Sequence, residues 1–389
     1  MSYPSPLSQP QPGHASPVPP PPVSLPPMPV PPRRSGAGAV WAIGVLAIVL
    51  VGLVAYFLTF IGTGASLVGT ILALIPFGIV LAAVRLIDRW EPEPRVLIVL
   101  ALAWGAVASV AIALLVDLGL FLVFRPQESA AQQAVSAIVQ APIVEELAKG
   151  LGLLLIFAVG RRAFDGPVDG VVYGALVGAG FAFTENIQYF ALALSDGGVE
   201  QTTVTFFMRG ILSPFAHAMF TAVTGFALGL AARRGASPGA ALGPWCAGVV
   251  GAIALHALWN GSAVLGDFFA LYVTLQVPLF IGFILGIIAL RREEARLTRA
   301  RLGEYAAAGW FTAQEVDMLA TPAGRRAALA WAASLRSDRT ATMRTFIRDA
   351  TALAMTRQRA LTGRDPRAAQ DERAYLERAT AARAALFAP

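Results

Sequence analysis

The sequence predicts an all-α protein that crosses a membrane many times and ends in a small helical domain, and three observations carry that prediction. Of 389 residues, 56% are hydrophobic and 14% charged, whereas about a quarter of the residues of a soluble domain are charged. Apolar runs long enough to span a hydrocarbon core as a helix, which takes about 20 residues, follow one another from residue 38 to residue 290. Beyond residue 290 the runs stop, and a segment rich in Ala, Arg and Glu continues to residue 389. The mean hydropathy of the whole chain is +0.63.

Residues 1–37 hold 14 of the 27 prolines, with Ser, Gln and Gly between them. Such a composition buries no core and favours extended, solvated polyproline, so this segment is expected to be a disordered, Pro-rich cytoplasmic tail. His14 lies in it and is read as a solvated side chain. The first apolar run begins near residue 38 and is too long for the apolar stretch of a cleavable signal, so it is expected to remain as a signal anchor. About eight helical spans are expected near residues 38–60, 64–84, 96–124, 138–160, 167–194, 204–232, 240–265 and 268–290, which make residues 38–290 the transmembrane domain.

Basic residues collect in alternate connections: Arg33 and Arg34, then Arg85, Arg89 and Arg95, then Arg161 and Arg162, then Arg233 and Arg234, then Arg291 onward. The other connections hold little beyond Arg125 and Arg209, so both termini are expected on the cytoplasmic side. Residues 128–140 are too polar for a bilayer core and read as an interfacial helix leading into Pro142, where a span begins or kinks. Residues 291–389 show helical spacing, as in Leu329 and Leu335 or Phe346, Ile347 and Leu353, and are expected to form three or four short amphipathic helices of a cytoplasmic domain.

The formal charge is +6 and the isoelectric point about 10.0. A basic balance can serve nucleic acid, but here the arginines sit beside apolar runs and in the C-terminal segment, where Asp and Glu interleave with them. That pattern suits membrane topology and anionic lipid, and no nucleic-acid partner is expected. The single cysteine, Cys246, lies in an apolar run and leaves neither a disulfide nor a cysteine-based metal site.

The stretch from Ala141 to Leu155 breaks the apolar pattern by placing Glu145, Glu146 and Lys149 inside a span. One charged residue at a helix centre costs about 2.5 to 3.5 kcal/mol on insertion scales, so three persist only where they face protein or water. Spacings of four and three residues let Lys149, the one lysine of the chain, neighbour both carboxylates. A structural ion pair tying helices together is one reading of this stretch, and a functional site is the other.

Two histidines and a third carboxylate also fall inside spans: His217, His256 and Glu185, the last followed by Asn186. Counted from the basic end of each span, Glu145, Glu185, His217 and His256 lie about 15 to 18 residues deep, or about 22 to 27 Å at 1.5 Å per residue. Four helices thus bring ionisable groups to one layer, displaced towards the side opposite the basic loops, with Asn260 one turn beyond His256. Gly170, Gly174 and Gly178 form a ridge that lets the Glu185 span approach a neighbour closely. Such a layer has the parts for hydrolysis: a carboxylate to take a proton from water, imidazoles to polarise water or donate to a leaving amine, and Asn with His to hold an oxyanion.

The segment P-I-V-E-E-L-A-K, ending at Lys149, resembles the E-E-x-x-K motif of the PrsW family of bacterial intramembrane proteases, and F-A-F-T-E-N, from Phe181 to Asn186, resembles its F-x-x-x-E-N. The resemblance extends to D-R-W-E-P-E-P from Asp88, P-V-D-G from Pro167, His217, and the H-x-x-x-N of His256 and Asn260, and covers residues 85–265 in family order. The wider superfamily includes CAAX prenyl endopeptidases, whose E-E-x-x-x-R and F-x-x-x-H differ from Lys149 and Glu185 here. The resemblance implies a multi-pass protein of the bacterial cell membrane that cleaves single-span membrane proteins, anti-sigma factors being the known substrate type. It implies a site made of Glu145, Glu146, Lys149, Glu185, Asn186, His217, His256 and Asn260.

The cofactor stays open at this point: none, or one zinc held by His217 and His256 with a carboxylate. No H-E-x-x-H is present, and neither L-G-D-F at Asp267 nor G-A-S-L at Gly64 supplies the motif of another intramembrane protease class. The competing class is a non-enzymatic membrane protein, a transporter of ions or protons or an immunity protein, using the same polar layer. Internal inverted repeats would favour transport, and none is evident.

Overall fold

The computed structural model describes residues 37–125, 129–160, 162–264, 266–363 and 365–387. The Pro-rich tail up to residue 36, with His14, Arg33 and Arg34, lies outside the described residues, as do Glu128 and Arg161. Among the described residues the secondary structure is helical throughout, with no strand. The chain forms two compact units, Arg34–Ile287 and one containing Ile288–Pro389.

In the first unit, α1 (Ala37–Tyr56) continues through a π-helical turn to Ile61, and α2 spans Thr63–Ile87. Helix α3 (Arg95–Ala103) passes through a π turn at Trp104–Ser109 into α4 (Val110–Phe124). Helix α5 (Ala130–Val135) and a π turn at Ser136–Gln140 lead into α6 (Ala141–Val159), so the polar stretch before Pro142 is helical, as its composition suggested. Helix α7 spans Pro167–Phe206, a π turn Phe207–Leu212 follows, and α8 is Ala216–Arg233. Then come α9 (Leu242–Val264), α10 (Phe268–Leu271), a π turn at Tyr272–Gln276 and α11 (Val277–Ala307).

Six helical stretches among the described residues are long and apolar enough to cross a membrane. The difference from the expected eight lies at two places. Pro167–Arg233 counts as one stretch of 67 residues, yet it contains two antiparallel helices, since Gly170 of α7 lies against Gly225 of α8 while Gly178 lies against His217. Helix α6 has 19 residues but carries three charges. Composition alone therefore passes it over.

Helix α7 is the centre of this unit. Its start is set by Pro167 at the first turn and by Asp169, whose carboxylate accepts from the backbone N–H of Asp165 at 2.9 Å and Gly166 at 2.7 Å. One turn on, Tyr173 donates at 2.5 Å to Glu93, tying the loop before α3 to α7. Glu93 lies outside the spans, and its burial pushes its carboxyl well above the usual carboxylate range, with Glu91, Asp88 and Asp165 adding to the effect. Gly198, at φ 64°, takes a conformation an L side chain rarely adopts and bends the chain within α7. Elsewhere the helices turn apolar side chains such as Ile48, Phe60, Phe124 and Ile281 outward, the surface a lipid environment solvates.

The second unit is a small helical domain. It comprises the end of α11, α12 (Ala313–Leu319), α13 (Pro322–Ala333), α14 (Thr340–Thr362) and α15 (Ala368–Phe387). Thr312 and Glu315 form a reciprocal cap on α12, and Thr321 caps α13 ahead of Pro322. The core includes Leu302, Tyr305, Leu319, Phe346, Ile347 and Leu353, with Leu329 packed at its margin. Leu335, expected on a helix, falls in the turn after α13, because Ser334 ends that helix.

The α7–α8 crossing depends on missing side chains: a Cβ on Gly170 would meet the Gly225 carbonyl oxygen at 2.0 Å, and one on Gly225 would meet that of Gly170 at 1.8 Å. Because backbone cannot yield as a flexible side chain does, Gly170→Val is expected to cost more than the ~1 to 3 kcal/mol of ordinary overpacking. Thermal unfolding in detergent is the measurement. A clear fall in midpoint is expected for Gly170→Val and none for Gly78→Ala, whose added Cβ meets nothing within 4 Å.

Candidate active site

The site is built on α6, whose roll is fixed by two indoles. Trp104 donates to the Ala148 carbonyl at 2.9 Å and Trp245 to that of Gly150 at 2.7 Å. Gly152 leaves room for the Trp104 ring, which a Cβ there would meet at 2.1 Å. So held, α6 turns Glu145, Glu146 and Lys149 inward, with Lys149 fully buried. The sequence expectation that i, i+3 and i, i+4 spacing gathers these three is met: Lys149 Nζ lies 2.6 Å from Glu146 Oε1 and 3.5 Å from Glu145 Oε2.

Helices α7, α8 and α9 complete the cluster. His217 Nδ1 is 3.1 Å from Lys149 Nζ, and its Nε2 is 2.9 Å from Glu185 Oε2. An ammonium only donates, so Nδ1 accepts, and the His217 proton sits on Nε2 facing the carboxylate. His256 Nδ1 lies 3.0 Å from Glu146 Oε1, which makes Nδ1 the donor when that carboxylate is ionised. The two imidazoles stand nearly perpendicular with centroids 5.0 Å apart. The Phe181 ring lies 4.0 Å from Lys149 Nζ, adding a cation–π contact.

Two members of the cluster were not foreseen. Thr221 donates to Glu146 Oε2 at 3.1 Å; it lies one turn beyond His217 on α8, and that spacing was the available signal. Arg209, in the π turn before α8, pairs with Glu185 and donates through Nε to Asn186 Oδ1 at 2.8 Å, its guanidinium lying 3.9 Å from the Tyr189 ring centroid. In the sequence Arg209 registered only as an isolated basic residue near a span end. Asn260, expected beside the cluster as an amide donor, gives one amide N–H to the Ala137 carbonyl at 2.8 Å, which pins α9 to the π turn before α6.

The three carboxylates differ in engagement. Both Glu146 oxygens are taken, Oε1 by Lys149 and His256 and Oε2 by Thr221. Glu185 Oε2 receives Arg209 and His217. Glu145 has only the 3.5 Å contact to Lys149, with His217 Nδ1 and His256 Nδ1 each 4.0 Å from its Oε2.

Glu145, His217 and His256 offer ligand atoms that lie within 4.8 Å of one another, the number and type of donors a zinc site uses. The surroundings do not fit a divalent ion. His217 has both ring nitrogens engaged, Nδ1 by the Lys149 ammonium and Nε2 by the Glu185 carboxylate. Like unit charges 4 Å apart repel by about 4 kcal/mol at an effective dielectric of 20, and a divalent ion doubles that. The ammonium already supplies the positive charge.

Fold and site together define an all-α multi-pass membrane protein with a buried carboxylate, imidazole and ammonium cluster. Residues 93–287 match the family described as PrsW family intramembrane metalloprotease, and the chain belongs to that family. The chain is similar to Protease PrsW of Geobacillus kaustophilus (strain HTA426), 33% identical over 146 residues, 37% of this chain and 58% of the relative. It is similar to Protease PrsW of Clostridioides difficile (strain 630), 30% identical over 161 residues, covering 40% and 63% respectively. A shorter stretch of 79 residues is 40% identical to Protease PrsW of Bacillus subtilis (strain 168), covering 20% of this chain and 33% of the relative. The chain thus spans about three fifths of the length of the first two relatives. No solved structure matches.

Removing the ammonium would leave buried carboxylates facing one another. Lys149→Met is expected to cost about 3 to 5 kcal/mol, the usual consequence of stripping one partner from a buried pair, and adding Glu146→Gln is expected to recover part of it. Unfolding midpoints in detergent measure both. A midpoint for Lys149→Met equal to that of the parent would mean that Lys149 does not neutralise the cluster.

Proposed function

We propose that the protein is an intramembrane endopeptidase that hydrolyses peptide bonds of single-span membrane proteins, with anti-sigma-factor-like chains as the substrate class. Membership of a protease family supports the activity. The observation that carries the mechanism is the engagement of the three carboxylates: Glu146 and Glu185 are held by close partners, whereas Glu145 has, among the described residues, no partner nearer than the 3.5 Å contact to Lys149, with the two imidazoles 4.0 Å away.

Glu145 acts as general base. It takes a proton from a water hydrogen-bonded to its carboxylate, and the resulting hydroxide attacks the scissile carbonyl carbon. The proton then passes from Glu145 to the departing amide nitrogen, so the C–N bond breaks to give a free carboxylate and an amine. Glu146 and Lys149 set the charge balance and orient His256 and His217. Glu185 fixes the His217 tautomer, and Asn186 and Arg209 hold Glu185 in place. The metal-centred alternative is disfavoured by the ammonium at His217 Nδ1, and no step requires it.

The alternation of arginines supports a cytoplasmic side for both termini, with residues 1–37 read as a tail, 38–290 as the membrane domain and 291–389 as a cytoplasmic domain. The catalytic layer is then displaced towards the extracytoplasmic face. With a purified single-span reporter, Glu145→Gln is expected to abolish cleavage while keeping expression and unfolding midpoint. Mass spectrometry of the products is expected to place the cut in the extracytoplasmic half of the substrate span. Undiminished cleavage by Glu145→Gln sinks the assignment, and a cut in the cytoplasmic half sinks the topology.

A further inference from the structure

Beside His217, on the side occupied by Arg209, lies a cavity of about 40 Å³ lined by Asn186, Arg209, Ser213, His217, Trp259 and Asn260, with Ala182, Pro214, Ala216 and Phe220 closing it. A single water needs about 10 to 15 Å³ on this measure, so the space admits a group of a few heavy atoms and no side chain of any size. Its polar lining is rich in hydrogen-bond donors. A guanidinium has five N–H donors, and only Nε, to Asn186, and one N–H of Nη2, to Glu185, are used here. Arginine has no acceptor, so Asn186 presents Oδ1 to it and keeps its amide Nδ2 for another partner.

We propose that this cavity is the subsite for the scissile carbonyl of the substrate, with Arg209 and Asn186 donating to its oxygen. The proposal rests on the endopeptidase reading and deepens it. Three facts carry it together: the size of the cavity, its lining by both His217 and Arg209 of the polar cluster, and the two donors left over on side chains already locked in position. Glu185 and the Tyr189 ring hold the guanidinium from two sides, so little reorganisation is needed when negative charge develops on the oxygen. Asn260 also lines the cavity, one of its two amide N–H groups being taken by the Ala137 carbonyl. Arg209 is thus a catalytic residue in its own right, and its ion pair with Glu185 is what fixes its direction.

The test compares parent, Asn186→Ala, Arg209→Lys, Arg209→Ala and Glu145→Gln on the single-span reporter, with and without added guanidinium chloride at a concentration that leaves each fold intact. Loss of one oxyanion donor is expected to lower kcat about 10²- to 10³-fold with KM within about threefold, since the interaction forms only in the transition state. Guanidinium is expected to restore part of the activity of Arg209→Ala and none of that of Glu145→Gln. Should Arg209→Ala not fold, Asn186→Ala decides alone through the same kcat and KM split. Parent cleavage with Asn186→Ala inside threefold of it, or a loss confined to KM, overturns the subsite and leaves the protease standing. Absence of cleavage by the parent overturns both.

Discussion

The structure depends on one constraint: charges removed from water must be answered inside the bundle. Glu145, Glu146 and Glu185 bring three carboxylates, and the described residues bring two cations to meet them, Lys149 and Arg209. Lys149 sits between Glu145, Glu146 and His217, while Arg209 neutralises Glu185 from the opposite side. Opposite unit charges at 4 Å attract by about 4 kcal/mol at an effective dielectric of 20, so each contact is of the same size as the ~2.5 to 3.5 kcal/mol that inserting one charge costs. Glu145 is the least satisfied member of the set. A group whose partners are this distant is the one with capacity for a new proton or a new water.

The backbone is shaped to the same end. The α7 ridge of Gly170, Gly174 and Gly178 reads from the sequence as a packing device, yet its last member touches the site directly. A Cβ on Gly178 would meet the His217 carbonyl oxygen at 2.3 Å. The close approach of α7 and α8 is therefore what sets Glu185 and His217 within 2.9 Å of each other across two helices. Indoles perform the corresponding service for α6: Trp104 and Trp245 bond the carbonyls that flank Lys149 and stop the helix from rolling its charges towards lipid.

Much of this was legible in the sequence. Apolar run length marks spans because the hydrocarbon thickness is fixed, and Glu145, Glu146 and Lys149 stand out because charges in such runs are costly. Depth counting brought Glu185, His217 and His256 to the same layer, where the structure has them in contact. What escaped has physical reasons too. Arg209 reaches the site because its long side chain bridges from a π turn to the preceding helix, a geometry with no periodic signature. The partner of Asn260 is a backbone carbonyl, and every residue offers one of those. The eight expected spans include α6 and the α7–α8 pair, which length and composition alone count short, because α6 carries three charges and Pro167–Arg233 runs on as one stretch.

The account turns on what supplies positive charge at His217 Nδ1. Here it is the Lys149 ammonium, 3.1 Å away, in a family whose description names a metal. Elemental analysis of purified protein, before and after stringent chelation and with cleavage of a single-span reporter followed in parallel, tests this most directly. The account expects no stoichiometric transition metal, activity that survives chelation, and a metal content unaltered by His217→Ala or His256→Ala. Stoichiometric zinc that is lost together with activity, and restores it on return, would contradict the account and make the two histidines its ligands.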